Sequence, residues 1–319
     1  MNQKQLTTTP KLIELDCSGS IVDVEITSQS TLSVEWDNLE DGELEITESD
    51  EKTTIEPTFD QDALRIGLRL PEQTNIKIFC LEGSVNIDSA WSGDVLIECA
   101  NEIEFESSQC QTVSVVCDTG SIDIGTARDI VIQTQDADIN IGTVTENLSI
   151  DSGTSDIEVE EANQCSINTI SGDVSLGLIE DASIQTLAGN ITIEECHNAS
   201  IESTSGDIEI GIMQGNLSIK SVSSEIEIGD LDTSNTVIND VSGSINIDML
   251  RIVEGQIDIR SVSDDITAGI HSDTSAQFVL KSNTGEVTTP DGEESGMFVA
   301  STGNAMVKMT TISGSIEIG

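Results

Sequence analysis

A short strand motif recurs along most of this chain, and its spacing constrains the fold more than any other feature. The motif reads Ser-Gly-Asp-Ile-x-Ile-Gly in its fullest form. Copies include Ser171-Gly172-Asp173-Val174-Ser175-Leu176-Gly177, Ser205-Gly206-Asp207-Ile208-Glu209-Ile210-Gly211 and the closing Ser313-Gly314-Ser315-Ile316-Glu317-Ile318-Gly319. The leading apolar residues run Val85, Ile103, Ile122, Ile139, Ile157, Val174, Ile191, Ile208, Ile226, Ile245, Ile266 and Val287, which are 17 to 21 residues apart. A second strand lies between successive copies, as in Leu148-Ser149-Ile150, Cys165-Ser166-Ile167, Ala182-Ser183-Ile184 and Leu217-Ser218-Ile219. Both strands alternate apolar with polar residues, the pattern of a pleated surface with one buried face.

A period this short is too small for a helix pair or a propeller blade. It fits one coil of an all-β, single-stranded β-solenoid with 17–21 residues per coil. About twelve coils at ~4.8 Å each would stack over on the order of 60 Å. The core would be a narrow slot of Ile, Val and Leu. That accounts for an aromatic content of 2% with no Tyr at all. Residues 1–80 are less regular but still strand-like, at Ile21–Ile26, Leu32–Trp36, Glu43–Ile46, Leu64–Leu70 and Asn75–Phe79, with an acidic turn region from Asp37 to Glu51. We expect them to form an irregular N-terminal region or cap, continuous with a repetitive solenoid over 81–319, because solenoids need atypical end repeats.

Three features carry a resemblance to a known family. They are the irregular N-terminal strands, the Leu70-Pro71 segment leading into Gly83-Ser84-Val85-Asn86-Ile87, and the run of Ser-Gly-Asp-Ile repeats. The chain resembles the adhesin-named β-solenoid family of bacteria and archaea, whose function is unknown. Its architecture is also similar to that of bactofilins and halofilins, which are polymer-forming cytoskeletal solenoids. The resemblance implies a structural or scaffolding role, or alternatively a surface adhesin or binding module. It supplies no catalytic residues.

Candidate chemistry is sparse. The residue before the leading apolar position is acidic in seven coils, at Asp138, Asp156, Asp173, Asp207, Glu225, Asp265 and Glu286. In-register stacking would set these carboxylates about 5 Å apart. They could then hold divalent cations, or they could form a solvated face. The calcium-binding Gly-Gly-x-Gly-x-Asp repeat is missing. Seven cysteines (Cys17, Cys80, Cys99, Cys110, Cys117, Cys165 and Cys196) include no Cys-x-x-Cys pair. They read as reduced, buried residues, with Cys165 facing the core and Cys80 and Cys117 just before a turn. Neither histidine, His197 beside Cys196 or His271, has a partner at a telling spacing. Nucleotide-binding, serine-hydrolase and zinc-protease motifs are absent. Only Trp36 and Trp91 could act as sugar platforms. No enzyme and no cofactor are therefore expected. The sequons at Asn147, Asn190, Asn198 and Asn216 mostly arise where Asn precedes the second repeated strand.

The start of the chain shows no secretory signal, which suggests a cytoplasmic protein. The last copy ends at Gly319 without a following cap, so an open strand edge is expected there. That motivates self-association around Ile312, Ile316 and Ile318, with Met297–Met309 folding back over the end as the alternative.

Charge bears on partners and solvent. With 59 Asp and Glu against 12 Lys and Arg, the net charge is −47. Nucleic acid and anionic lipid are thereby disfavoured as partners, and no apolar run of about 18 residues exists to insert in a membrane. Residues 81–319 hold 42 of the acids and 6 of the bases. Stacked coils would set those charges in ladders, tolerable when the Debye length falls to about 3 Å at 1 M salt. The expectation is a salt-adapted protein that loosens on desalting. Circular dichroism and thermal melting should both show weaker structure at low KCl than at molar KCl, and superimposable curves would refute this.

Overall fold

The computed structural model describes residues 2–7, 10–29, 33–37, 44–58, 64–290, 292–301 and 303–319. The fold is an all-β solenoid, and no helix occurs among the described residues. The chain divides into two compact units, Met1–Glu160 and Glu161–Gly319. The change of regularity near residue 80 therefore falls inside the first unit.

The coils stack as parallel, in-register strands. In the first unit Ile122 lies over Ile139, Ile124 over Ile141 and Ile132 over Ile150. In the second, Val174, Ile191, Ile208, Ile226, Ile245 and Ile266 form one column. Each of these side chains is buried. Burying one Ile is worth about 2 kcal/mol, and a slip of one residue would turn a whole strand's apolar set outward. The register is thus enforced by the same residues that make the core.

Where the second strand turns toward the next coil, backbone is packed on backbone. Gly189 and Gly206 have φ of 127° and 109°. A Cβ on Gly189 would lie 2.1 Å from the Gly172 carbonyl oxygen, and one on Gly206 would lie 2.2 Å from that of Gly189. Buried hydroxyls support this corner from inside. Thr169, Thr186 and Ser203 donate to the carbonyls of Ser171, Ala188 and Ser205 at 2.9, 3.1 and 3.2 Å.

Chain order and stacking order differ at one end of each unit. In the first unit the strand Leu12–Ser28 stacks in register on Asn75–Ala90. On its other side it pairs with Lys52–Pro57 and Leu64–Leu70. Regular stacking therefore begins at Leu12, and the segment between these strands forms the cap. Antiparallel strands finish that cap: Leu44–Glu48 on Lys52–Pro57, Ser33–Asp37 on Leu64–Leu70 and Asn2–Gln5 on Ser33–Asp37. Much of the acidic turn region, at 38–43, lies outside the described residues, as do Leu32 and Glu43 of the expected strands.

In the second unit Ala276–Thr289 takes the outer position, flanked by the antiparallel strand Gly292–Ser301. The chain then returns. Ala305–Thr311 fits between Gln256–Arg260 and Ala276–Thr289. Ile316–Ile318 fits between Ile266–Ile270 and Ala276–Thr289. The closing repeat is thus interior. Ile316 and Ile318 are buried, and their strand is paired on both edges. The open edge expected at these residues does not occur, because the antiparallel hairpin has taken the outer layer.

Gly206→Ala should cost about 2 kcal/mol, through positive φ and the carbonyl clash together. Thr204→Ala, two residues away and exposed, should stay within about 0.5 kcal/mol. Equilibrium urea unfolding compares the two.

Candidate interaction surface

The acidic column is built differently from a cation site. Its rungs in the second unit run Asp173, Asn190, Asp207, Glu225, Ser244, Asp265 and Ser315, as the hydrogen bonds of the following residues show. Neutral rungs separate most of the carboxylates. Asp207 and Glu225 are the adjacent acidic pair here, and Asp138 and Asp156 are adjacent in the first unit. The side-chain oxygens cap backbone instead. The Asp173 carboxylate accepts from the Asn190 N–H at 2.8 Å, the Asn190 amide oxygen from the Asp207 N–H at 3.0 Å, and the Asp265 carboxylate from the Ser315 N–H at 2.6 Å. Asp in this motif therefore has a structural job: it ties each coil to its neighbour at the start of the first strand. Glu286 lies at the outer end, where its N–H meets the Ser315 hydroxyl at 3.4 Å. No group of three or more His, Cys, Asp or Glu among the described residues is arranged to hold a metal ion.

The other sequence candidates are distributed rather than gathered. Cys196 is buried, its thiol donates to the Asn198 carbonyl at 3.1 Å, and burial pushes it up to about 12. His271 accepts the Asp273 N–H at 3.1 Å and so stabilises a turn. Trp91 is 1% exposed and belongs to the core, so it is no platform. Trp36 is half-buried in a recess of about 240 Å³ with Arg65 and Arg69, and Arg69 is held by Glu35 at 3.1 Å. The sequon amides are engaged in a ladder: Asn147 donates to Asp129 at 2.8 Å, Asn198 to Asp181 at 2.9 Å and Asn216 to Asn198 at 2.9 Å. A polar trough of about 650 Å³ in the first unit is lined by Glu106, Asp123, Asn140, Glu158 and Glu160, with no aromatic lining residue. Its side chains bond one another, as where Asn140 donates to Asp123 at 2.9 Å.

One surface stands apart. In the second unit the corner following the second strand carries Ile170, Leu187, Thr204, Val222, Val241, Val262 and Ile312. The register places Leu187 beside Thr204. Backbone bonds then link Thr204, Val222, Val241, Val262 and Ile312 in order. The six apolar members are 41% to 58% exposed. At ~4.8 Å per coil they make a ridge on the order of 30 Å long. Monomers seldom show so continuous an apolar feature without using it.

The flanks of the ridge are nearly free of negative charge. On one side runs a column of small residues, including Ser205, Ser223 and Ser242. On the other run Gln185, Glu202, Lys220, Asn239, Arg260, Thr310 and Lys281. That column holds three of the five Lys and Arg of a unit with 25 Asp and Glu. Its one acid, Glu202, is paired with Lys220 at 2.6 Å. Together ridge and flank enclose a groove of about 630 Å³ lined by Ile170, Leu187, Val222, Gln185, Glu202 and Lys220. Sequence reasoning missed this surface. Its signal was an apolar residue three places after the last core residue of the second strand, as in Ile184 to Leu187 and Ile259 to Val262. Of the three residues expected to self-associate, Ile312 alone lies here.

Asp173→Leu should lower stability by about 1 kcal/mol through the lost backbone cap, whereas Asp173→Asn should keep it. Adding a chelator should move neither melting curve. A chelator-induced drop in wild type would restore the cation reading.

Comparisons with known proteins complete the picture. The model of the Toastrack DUF4097 family matches residues 13–194 and, in a second overlapping match, 142–319. No curated protein matches the chain. One solved structure, from Clostridium sporogenes and provisionally called a cell adhesion protein, aligns over 99% of this chain and 97% of its own, at 8% identity and a TM-score of 0.18.

Proposed function

This chain belongs to the Toastrack DUF4097 family, and from that premise we propose that it is a non-catalytic interaction scaffold which docks through the apolar ridge of its second unit, in the first instance onto a second copy of itself. The exposed column Ile170, Leu187, Val222, Val241, Val262 and Ile312 is the observation that carries this reading. Covering such a ridge gains on the order of 1 kcal/mol per side chain. Its flanks let two strongly acidic chains approach without setting carboxylate against carboxylate. A ridge on one copy meets one of equal length on another, as a symmetric dimer interface requires. The scaffolding role expected from the repeat is kept, and the contact moves from the solenoid end to its side.

An adhesive role is the second reading. The same ridge would then take a strip on a foreign protein, with the chain monomeric by itself.

Sedimentation velocity in about 1 M KCl, where charge repulsion is screened, tests the proposal. Wild type should shift from monomer to dimer as concentration rises. The triple variant L187S/V222S/V241S should stay monomeric with unchanged circular dichroism. A wild type that remains monomeric at every concentration would overturn self-docking and leave the adhesive reading.

A further inference from the structure

Four of the seven cysteines share one column in the first unit. Cys17 lies opposite Cys80, and Cys80 opposite Cys99. The pairing of Glu98 with Val116 places Cys117 on the next rung. In the following coil the position is occupied by Thr134, whose hydroxyl meets the Cys117 sulfur at 3.5 Å. Farther along the chain the equivalent residues, such as Thr169, Thr186 and Ser203, bond the corner carbonyls. A hydroxyl therefore suffices for that structural job, yet four consecutive rungs carry sulfur. All four thiols are buried.

Strand spacing puts successive rungs at a Cα separation of about 4.8 Å, inside the 4.4–6.8 Å range of disulfides. The middle pair sits on directly adjacent rungs, with Cys80 opposite Cys99. The Cys99 thiol donates to the Glu102 and Leu81 carbonyls at 3.2 and 3.4 Å. Cys110 lies opposite Ala127, and Cys196 between Ile179 and Met213, so neither has a cysteine on an adjacent rung of its own column.

We propose that this column is a redox site in which Cys80 and Cys99 form a disulfide when the protein meets a hydroperoxide. The adjacent Cys80 side chain holds the pKa of Cys99 down, while Cys80 itself is raised by Cys99 and by burial. Cys99 is thus the attacking sulfur. Its thiolate displaces hydroxide from the peroxide, the O–O bond breaks, and the hydroxide takes a proton to leave as water, giving a sulfenic acid. The Cys80 sulfur then attacks the Cys99 sulfur. The S–O bond breaks, and a second water carries off the Cys80 proton and the oxygen. Two thiols lose two electrons, and one hydroperoxide gains them. The product staples two neighbouring coils.

Treat the folded full chain with hydrogen peroxide, then cleave it with a glutamate-specific protease, which cuts at Glu72, Glu82, Glu98 and Glu102 and so frees Cys80 and Cys99 on separate peptides. The intact mass should fall by about 2 Da, and mapping should find those two peptides joined. Cys80→Ser should abolish the bridge and leave Cys99 heavier by about 16 Da as the sulfenic acid, trapped by a 1,3-dione. An unchanged mass, a bridge to Cys110, Cys165 or Cys196, or a bridge formed only in denaturant would each overturn the proposal. The wild-type mapping stands alone if the variant fails to fold.

Discussion

Like residues stacked on like residues at the strand spacing are the constraint on which everything else here depends. A parallel coil cannot choose its neighbour's side chain independently. Whatever chemistry one position holds is multiplied into a column. Isoleucine inside becomes a core, as in the column from Val174 to Ile266. The same repetition outside is hazardous, because acids in register repel. The chain answers by alternating charge with amide and hydroxyl, as Asn190 and Ser244 interrupt the acids, and by turning carboxylate oxygens onto backbone N–H groups, as at Asp173 and Asp265. Three columns thereby gain distinct characters from one mechanism: capping carboxylates, an apolar ridge and a thiol ladder.

Edges are the second consequence of the ladder. A stack of parallel strands offers unpaired backbone at its ends and would extend by recruiting other chains. Each unit instead closes one end of its stack with antiparallel strands, Leu44–Glu48 and Ser33–Asp37 in one and Gly292–Ser301 in the other. Antiparallel pairing breaks the like-on-like rule, so the column stops where the hairpin begins. With those ends covered, the ridge on the side of the second unit is the feature better suited to contact.

Much of the fold was legible because period 2 and the longer coil period act together. Ile122, Ile139, Ile208 and Ile226 could be placed in columns from spacing alone. The end topology was not legible. The repeats at Val287 and Ile316 look alike locally, and nothing in either says which lies nearer Ile266. That order is set by long-range pairing. The acids were found and their geometry was not, because the neutral rungs Asn190 and Ser244 do not match an acidic pattern. The ridge escaped notice because an apolar residue in a corner breaks the strand alternation and reads as noise. The thiol column was half visible. Cys80 and Cys117 were recognised as preceding a turn, whereas the long cap segment hides the alignment of Cys17, and Cys99 ends a short strand outside the regular motif.

The inward return of the closing repeat sets an order of events. On a ribosome, Ala276–Thr289 emerges before Ala305–Thr311 and Ile316–Ile318, yet its parallel partners are those two later strands. The outer layer therefore cannot dock in its final place until those two strands are free. Before that moment the growing end can be extended only by coils laid down in sequence. The two returning strands complete the stack from within, as a keystone does an arch, and losing them would open a gap inside the unit rather than shorten it by one layer.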